Sequence, residues 1–470
     1  MAHTPLTSEH RNALIACVDA QGVITGDDQA PYLTEWRGRW QGDTPLLLSP
    51  ANTQQLADVM AYAHAHHLAV VPQGGNTGLV GGQVPAGEIL ITLKRLRQIR
   101  DVSPQDFAMT LEAGVTLAEA QEVAAKHDRL FPLSIGSEGS CQVGGILSTN
   151  AGGVHVIRYG NARDLCLGLE VVLPDGRVWD GLNALRKNNT GYDLKHLFIG
   201  GEGTLGFITA AVLKLHPRPS ETLMSFLAVP NAESAVELLS FVQGKSGGQI
   251  AAFELMSAAT VDLVLKQFPE LRRPVEADAP FFALVELTSG RPGELSDMAQ
   301  TLLEDALEAG LISDGTVAQS GTQSDELWRI RHNASEAMKR DGMFCVKCDV
   351  SVPIRQVPSF LAEADRVVED AAPGARVIAF GHMGDGNIHY DILGPEDGDD
   401  QAWRARAGEM ERLVHDVVIA HEGSISAEHG IGKLKRDELA ERKSDVEMDL
   451  MRRIKASLDP HGIMNPGKLL

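Results

Sequence analysis

Hydrophobic and polar residues follow the same order twice in the N-terminal part of the chain. In "NTQQLADVMAYAHAHHLAVVPQGG", residues 52–75, apolar side chains recur at helical spacing and then enter an apolar strand that ends in glycines. In "LEAGVTLAEAQEVAAKHDRLFPL", residues 111–133, a strand precedes a helix that begins at Thr116 and leads to a second strand. This order predicts an α/β architecture for the first part of the protein.

The pattern changes at "HPRPSET", residues 216–222, where two prolines interrupt it. Before this point the chain is rich in glycine and short strands, including a hairpin that turns at Asp175-Gly176. After it, helical patterns such as "NAESAVELLSFVQ" and "VPSFLAEADRVVEDAAP" alternate with apolar strands such as "FFALVELTS". We therefore predict a first domain over 1–219, a second over 220–424 and a mostly helical closing segment over 425–470.

Charge and composition restrict the class of partner. The 470 residues include 42 basic and 63 acidic side chains, a net charge of -21, which disfavours nucleic acid and anionic membrane surfaces as partners. No segment approaches the roughly 20 apolar residues that span a bilayer. The N-terminus has no basic start before an apolar core, so we expect no secretory signal and a cytoplasmic protein. Five cysteines do not suggest a disulfide framework.

Three glycine-rich segments follow predicted strands. The first, "VVPQGGNTGLVGGQVP", fits neither G-x-G-x-x-G nor a P-loop, but its backbone N–H groups could converge on a phosphate, with Asn76 and Thr77 as added donors. Taken alone, it could equally be a tight turn. Similar mixtures recur in "PLSIGSEGSCQVGGILSTNAGG", residues 132–153, and "GGEGTLGFIT", residues 200–209. Three such segments in one domain predict a large phosphorylated cofactor.

A histidine pair marks a second kind of site. In "GHMGDGNIHYDI", His382 and His389 flank a turn-length segment, so a hairpin would place their side chains next to each other. A pair alone is more often incidental, but "GSISAEHGIGKLK" offers Glu428 as a third ligand, directly before His429. Two imidazoles and one carboxylate leave an open coordination position, as catalytic zinc requires, although manganese, cobalt or iron would also suit them.

The glycine-rich segments resemble the flavin domain of the vanillyl-alcohol oxidase and p-cresol methylhydroxylase family. The run "RYGNARDLCLGLEVVLPDGRVWDGLNALRKNNTGYDLKHLFIGGEGTLG" resembles its subgroup of FAD-linked D-2-hydroxy acid dehydrogenases, which includes those acting on D-2-hydroxyglutarate. The similarity extends from residue 35 to the C-terminus. It implies an α+β fold, with an FAD-binding domain of two α/β subdomains over 1–219, an α+β substrate (cap) domain over 220–424 and a helical segment over 425–470 that returns to the flavin domain.

The resemblance also implies which residues bind FAD. The first loop would contact the pyrophosphate, the second the ribityl chain and ring, and the third loop and the closing segment would complete the site. Many relatives carry a basic residue where this chain has Gln73, so one electrostatic contact to phosphate is expected to be missing. The implied residues are Gln73, Gly74, Gly75, Asn76, Thr77, Gly78, Gly136, Ser137, Ser140, Gly144, Gly145, Asn150, Gly153, Gly203, Ile208 and Asn465.

The same resemblance assigns the chemistry. Related dehydrogenases place metal ligands at the positions of His382, His389 and Glu428, with zinc favoured, and His429 would be the base. "SDELWRIRHNASEAMKRDG" is predicted to form a helix from Ser324 or Asp325 to just before Gly342. On it, Arg331 and Ser335 would share one face, and together with Lys347 would hold the carboxylate of the substrate that is farthest from the reacting carbon. Asp391 stands where many relatives carry Asn, so a substrate hydrogen bond is expected to differ.

The implied reaction is oxidation of a D-2-hydroxy acid, with hydride transfer from C2 to flavin N5 and D-2-hydroxyglutarate as the favoured substrate. D-lactate, D-malate and glycolate remain alternatives within the family. A metal-dependent hydrolase built around His382, His389 and Glu428, or a flavoprotein that only relays electrons, are alternatives of other classes. Electron-transfer flavoprotein or a quinone route is expected to accept the electrons, no NAD motif is present, and a homodimer is left open.

Overall fold

The computed structural model describes residues 4–470, which form helices and strands in nearly equal number. The helices are α1 Ser8–Ala16, α2 Ala30–Leu33, α3 Thr53–Ala65, α4 Leu117–Lys126, α5 Val143–Thr149, α6 Val156–Tyr159, α7 Lys195–Phe198, α8 Ala232–Lys245, α9 Ala258–Gln267, α10 Glu294–Glu308, α11 Gly321–His332, α12 Ala334–Asp341, α13 Val357–Ala371, α14 Asp400–Ala405, α15 Ala407–Ala420, α16 Arg436–Arg442 and α17 Asp445–Leu458. Short 3-10 turns lie at Ala20–Gly22, Gly26–Gln29 and Ile354–Gln356.

The strands are β1 Val23–Ile24, β2 Leu47–Leu48, β3 Val70–Gln73, β4 Ile89–Thr92, β5 Ile99–Ser103, β6 Ala108–Glu112, β7 Arg129–Leu130, β8 Cys166–Val172, β9 Val178–Asp180, β10 Phe207–Lys214, β11 His216–Pro217, β12 Glu221–Val229, β13 Ile250–Ser257, β14 Phe281–Ser289, β15 Asp314–Val317, β16 Cys345–Ser351, β17 Arg376–His382 and β18 Asn387–Leu393. The chain divides into two compact units. Unit 1 extends to Ala151 and includes Asn161–Pro217 and His429–Leu470, whereas unit 2 comprises Gly152–Gly160 and Arg218–Glu428.

Unit 1 contains a four-stranded sheet, order β1-β2-β4-β3, and a five-stranded antiparallel sheet, order β5-β6-β10-β8-β9. Strands β2, β4 and β3 are parallel, which agrees with the α/β architecture predicted for the first repeat. In the second repeat, β6 instead belongs to the antiparallel sheet and β7 pairs with β11. The predicted start of α4 is confirmed, because Thr116 and Glu119 form a reciprocal capping box. The predicted hairpin is confirmed between β8 and β9, where Gly176 has a φ of +84°.

Unit 2 is built on a seven-stranded antiparallel sheet, order β15-β12-β14-β13-β17-β18-β16. One face packs against α8, α10, α13 and α15 through a large apolar core. The other face packs against α9, α11 and α12 through a second core that includes Phe226, Phe282 and Phe380. Strands β13, β17, β18 and β16 also carry acidic residues and histidines on this second face, because their neighbours along the strands pack into the first core, so part of the second face is polar.

The helix predicted to begin at Ser324 or Asp325 begins earlier and is broken. Ser320 caps α11, because its side chain accepts a hydrogen bond from the backbone of Gln323. Asn333 then separates α11 from α12, and α12 ends at Asp341 before Gly342, whose φ is +91°. Because of the break, Arg331 and Ser335 lie on different helices. No helix among residues 4–470 is both long and apolar enough to cross a membrane.

Candidate functional site

The polar part of the second sheet face in unit 2 is centred on the hairpin of β17 and β18. Phe380 pairs with His389 across the two strands, and His382 ends β17 just before the turn. The turn is tight, since a Cβ on Gly386 would lie 2.2 Å from the carbonyl oxygen of Val352, and its φ is +80°. The two imidazole rings are 5.7 Å apart and nearly perpendicular, with an interplanar angle of 89°. The hairpin that the sequence predicts is therefore present, and it brings the two histidines together.

Glu428 reaches the histidine pair from a separate segment. Its backbone N–H donates to Asp349 Oδ2 over 3.0 Å, which fixes this segment against β16. Its carboxylate oxygens then lie 3.6 Å from His382 Nδ1 and 3.9 Å from His389 Nε2. The ligand atoms of the three residues are all within 4.8 Å of one another. We call His382, His389, Glu428, Asp349 and Glu254 the histidine–carboxylate cluster.

The electrostatics of the histidine–carboxylate cluster favour a bound cation. Burial raises the pKa of Glu428 well above its usual value, and the carboxylates of Asp349 and Asp385 raise it further. Burial also raises the pKa of Asp385 to about 7, with Glu254 and Asp349 contributing. Arg331 offsets part of this negative charge, but several carboxylates buried around one cation remain costly unless a further positive charge lies among them.

The histidines meet the requirements of metal ligands. Burial lowers the pKa of His382, which favours the neutral imidazole that a metal needs. Its Nδ1 is buried and makes no hydrogen bond with the described part of the chain. The unbonded Nδ1 of His382 and the carboxylate of Glu428 therefore face each other, and a divalent ion between them would give both a partner. The residues present therefore fit the predicted metal.

Asp349 and Glu254 were missed by the sequence analysis. Both are buried, and they lie inside the strands "CVKCDVS" and "AAFELMS", whose other residues are mostly apolar. A buried acidic side chain is rare unless it is paired. One acidic residue within each apolar strand is the signal that could have identified them.

The predicted substrate residues do not all come together. Arg331 is buried, its Nε donates to Glu254 Oε2, and its guanidinium lies 4.6 Å from the centre of the Phe380 ring. Lys347 lies directly across the β16–β18 ladder from Asp391, with 3.7 Å between Nζ and Oδ2. Ser335, by contrast, is exposed to solvent on α12. The structure places Arg331, Lys347 and Asp391 on the sheet or against it, and Ser335 at the surface.

The glycine-rich segments of unit 1 lie close to one another. A Cβ on Gly75 would be 2.0 Å from the carbonyl oxygen of Ser140, so the first and second segments are in backbone contact. Gly203 has a φ of +69° and packs on Pro72, and the amide of Asn465 donates to the carbonyl oxygens of Gly82 and Glu202. We call residues 73–78, 136–150 and 203–208, with Asn465, the glycine cradle.

Open space and unpartnered acceptors make the glycine cradle suitable for FAD. A Cβ on Gly136 or Gly145 would meet no atom within 4 Å, whereas one on Gly144 would be 2.8 Å from Ala113 Cβ and 3.4 Å from the carbonyl oxygen of Ile208. The side-chain oxygens of Gln73, Gln142 and Asn465 are buried and accept no hydrogen bond within the described residues. A ligand that carries hydroxyl and N–H donors would satisfy them, which fits a flavin with its ribityl chain.

The structure adds detail to three of the residues implied to bind FAD. Asn76 was expected to add a side-chain donor for phosphate, but its amide donates to the carbonyl oxygens of Pro31 and Thr34. The side-chain amide of Gln73 likewise donates to Tyr32 and Gln83. In Gln73 and Asn76, therefore, the backbone N–H is the donor that is left to bind a phosphate. Gly153 belongs to unit 2, whereas Asn150, with a φ of +52°, ends α5 in unit 1. The contacts of all sixteen implied residues with FAD stay predictions.

Two family models match the chain. The model described as "FAD linked oxidases, C-terminal domain" matches residues 218–469, and the one described as "FAD binding domain" matches residues 44–181. Among solved structures, 4-ethylphenol oxidase from Gulosibacter chungangensis has a TM-score of 0.76 at 17% identity, and p-cresol methylhydroxylase has 0.75 at 16%. Each comparison covers 100% of this chain and 98% of the other. The predicted α+β fold of the p-cresol methylhydroxylase type is confirmed.

Curated relatives are similar over most of the chain. The mitochondrial D-2-hydroxyglutarate dehydrogenase of Arabidopsis thaliana is 38% identical, over 93% of this chain and 77% of its own length. The mitochondrial enzyme of that name from Bos taurus is 36% identical, over 97% and 82%. A D-2-hydroxyglutarate dehydrogenase of Xanthomonas citri pv. viticola is 37% identical, over 94% and 92%.

The names of these relatives also correct one expectation. The sequence analysis predicted a cytoplasmic protein, but the relatives from Arabidopsis thaliana and Bos taurus are named as mitochondrial, which contradicts it. The name of the Xanthomonas relative gives no compartment. Composition and the absence of a secretory pattern say little about the choice between these two compartments, and that is why the prediction was wrong.

Proposed function

From the premise that the chain belongs to the family of FAD-linked oxidases and is an FAD-dependent dehydrogenase, we propose that it oxidises D-2-hydroxyglutarate to 2-oxoglutarate. The names of its relatives support this substrate. The observation that carries the proposal is the histidine–carboxylate cluster, in which His382 is buried, His389 and Glu428 are partly buried, and two cations, Arg331 and Lys347, lie on or against the same sheet face.

The head of the substrate would bind at His382, His389 and Glu428. A divalent cation held by these three side chains, zinc in our proposal, supplies a Lewis acid that lowers the pKa of the C2 hydroxyl. His429, which follows Glu428 directly, accepts the hydroxyl proton as C2 loses its hydride. FAD bound in the glycine cradle supplies the two-electron acceptor at its N5 atom. The alcohol thus loses one hydride to the flavin and one proton to His429, and it becomes the 2-oxo acid.

The distal carboxylate of the substrate would bind at Arg331 and Lys347. Arg331 uses only Nε within the described chain, so both terminal nitrogens remain available as a planar pair of donors. The ammonium group of Lys347 makes no hydrogen bond within residues 4–470, and its ion-pair partner is Asp391. A diacid would place its second carboxylate against both cations, whereas D-lactate carries a methyl group there and would leave the terminal nitrogens of Arg331 without an acceptor. We further propose that electrons leave to electron-transfer flavoprotein or through a quinone.

D-lactate or glycolate oxidation is the second candidate, and one observation favours it. Asp391 lies 3.7 Å from Lys347 and is buried, so its carboxylate already offsets the charge of that lysine. A second carboxylate from the substrate would then meet a pair that is nearly neutral.

Flavin reduction tests the proposal directly. Purified FAD-loaded protein is mixed without oxygen with D-2-hydroxyglutarate, its L enantiomer, D-malate, D-lactate or glycolate, and the flavin absorbance is followed. We expect the fastest bleaching with D-2-hydroxyglutarate, none with the L enantiomer, loss after a chelator and recovery with zinc. Fastest bleaching with D-lactate or glycolate would select the second candidate, and bleaching that resists the chelator would contradict the role of the metal.

A further inference from the structure

Each histidine of the histidine–carboxylate cluster faces two different carboxylates. His382 has Nδ1 at 3.6 Å from Glu428 and Nε2 at 3.9 Å from Glu254 Oε1. His389 has the reverse arrangement, with Nε2 at 3.9 Å from Glu428 and Nδ1 at 3.7 Å from Asp349 Oδ1. The two rings therefore present opposite nitrogens to the shared carboxylate of Glu428.

The sheet register produces this arrangement. Glu254 on β13 pairs directly with His382 on β17, and Asp349 on β16 pairs directly with His389 on β18. Directly paired residues on one face of an antiparallel sheet have adjacent side chains. Both acidic side chains are buried, with exposed fractions of 0% for Glu254 and 3% for Asp349. Each histidine thus has its own buried carboxylate on the neighbouring strand.

We propose that Glu254 and Asp349 are positioning residues that set opposite tautomers of the two metal-binding histidines. A neutral imidazole has one N–H donor and one acceptor nitrogen, and a carboxylate can only accept. Glu254 holds the proton on Nε2 of His382 and leaves Nδ1 for the metal. Asp349 holds the proton on Nδ1 of His389 and leaves Nε2 for the metal. This inference rests on the metal site of the proposed function and assigns it two residues that are not ligands.

Other contacts keep both carboxylates in place. Glu254 accepts from Arg331 Nε with Oε2, and its Oε1, which faces His382, makes no hydrogen bond within residues 4–470. Asp349 accepts from the backbone of Glu428 with Oδ2 and from the amide of Asn387 with Oδ1. Glu254 consequently links the proposed substrate anchor Arg331 to one metal ligand, and Asp349 links the other histidine to the segment that carries Glu428.

Amide substitutions would disturb both carboxylate–histidine pairs without removing volume. In Glu254→Gln the amide oxygen must stay on Arg331, because arginine only donates, so the NH₂ group faces His382 Nε2. That nitrogen must then accept, and the ring proton moves to Nδ1, where it blocks the metal. Both carboxylate oxygens of Asp349 accept hydrogen bonds, one from the backbone N–H of Glu428 and one from the amide of Asn387. In Asp349→Asn, the NH₂ group replaces one of these oxygens and therefore faces another donor in either orientation.

Zinc affinity of the full-length FAD-loaded protein, measured by competition with a chelator, tests the proposal. We expect Glu254→Gln and Asp349→Asn each to weaken zinc binding by about 10–100-fold, the usual effect of removing a carboxylate behind a ligating histidine. Asp365→Asn is the matched control. It removes a carboxylate that accepts from Tyr390, next to His389 on β18 but on the other sheet face, and should leave affinity unchanged. Unchanged zinc affinity in the first two variants would overturn the inference.

A measurement on the unsubstituted protein does not depend on the folding of any variant. Cadmium replaces zinc, and NMR couplings between the metal and the labelled ring nitrogens identify the ligating atoms. We expect one histidine coordinated through Nδ1 and one through Nε2, whereas coordination of both through Nε2 would overturn the inference. If the protein binds neither metal, or if His382→Ala and His389→Ala bind as tightly as the unsubstituted protein, the metal site of the proposed function fails as well, which distinguishes the two failures.

Discussion

The glycine cradle of unit 1 and the histidine–carboxylate cluster of unit 2 are built for binding in opposite ways. The glycine cradle depends on backbone that approaches backbone, as at Gly75 and Ser140, and its polar side chains largely hold the loops together. The histidine–carboxylate cluster depends on titratable side chains that project from neighbouring strands, joined by Glu428 from a loop, and three of its five members are buried. The comparison indicates that the first region is sensitive to added volume and the second to altered charge.

Neutralising the shared ligand should have the largest effect. We expect Glu428→Gln, which keeps volume and removes charge, to lower metal affinity and flavin reduction by D-2-hydroxyglutarate by at least about 100-fold, more than loss of a residue behind the ligands. Metal content and flavin content are measured on the same sample. Full FAD content with no zinc would sharpen the comparison, and full zinc content in this variant would break it.

Removing a substrate cation should have the next largest effect, and only on a diacid. We expect Lys347→Ala to lower kcat/KM for D-2-hydroxyglutarate by about 10–100-fold, since a hydrogen bond to a charged group is lost. D-lactate serves as the internal control, because it has no second carboxylate to contact Lys347. Equal losses on the two acids would mean that Lys347 supports the fold of β16 rather than the substrate.

Added volume in the glycine cradle should cost stability without changing any charge. We expect Gly75→Ala to lower the free energy of unfolding by about 1–3 kcal/mol, because its Cβ would overlap the carbonyl of Ser140. Gly244→Ala on α8 is the control for added volume, since a Cβ there meets no atom within 4 Å, and alanine inside a helix should raise the free energy of unfolding by about 0.5–1 kcal/mol. Denaturant unfolding of both variants without FAD separates packing from cofactor loss. A Gly75→Ala protein as stable as the control would break the comparison.

Ser335→Ala should have the smallest effect. Its side chain is exposed on α12, beyond the helix break at Asn333, so we expect kcat/KM for D-2-hydroxyglutarate to stay within about two-fold of the unsubstituted value, as for most surface substitutions. A larger loss would restore the predicted role of this residue in holding the distal carboxylate and would require α12 to move when substrate binds.

Local signals predicted local structure well. The capping box at Thr116, the turn at Gly176 and the hairpin between His382 and His389 each depend on a few neighbouring residues, and each is present. The helix break at Asn333 was missed because the polar pattern continues through it and nothing as strong as proline marks the position. The assignment of Glu428 to the same site as the hairpin depended on the family resemblance rather than on the spacing of the residues. Residues far apart in sequence come together only through tertiary structure.

The buried charged residues were the part of the site that the sequence could not predict. Glu254 and Asp349 sit in strands whose apolar character predicts a core, and only strand register reveals that each faces a histidine. Register in turn depends on the order β13-β17-β18-β16, which places sequence-distant strands side by side. No local pattern determines such an order.

The C-terminal segment has a consequence for the order in which the protein can form during synthesis. Val70 forms a parallel bridge with Met464, its N–H donates to the carbonyl of Ile463, and its carbonyl accepts from the N–H of Asn465. The outer edge of β3 therefore stays unpaired until residues 463–465 have left the ribosome. Unit 2 ends at Glu428 and has all its strands earlier. Unit 2 can thus fold before residues 463–465 are made, whereas the sheet of unit 1 can close only after them, and its open edge is the stretch that chaperones would need to protect.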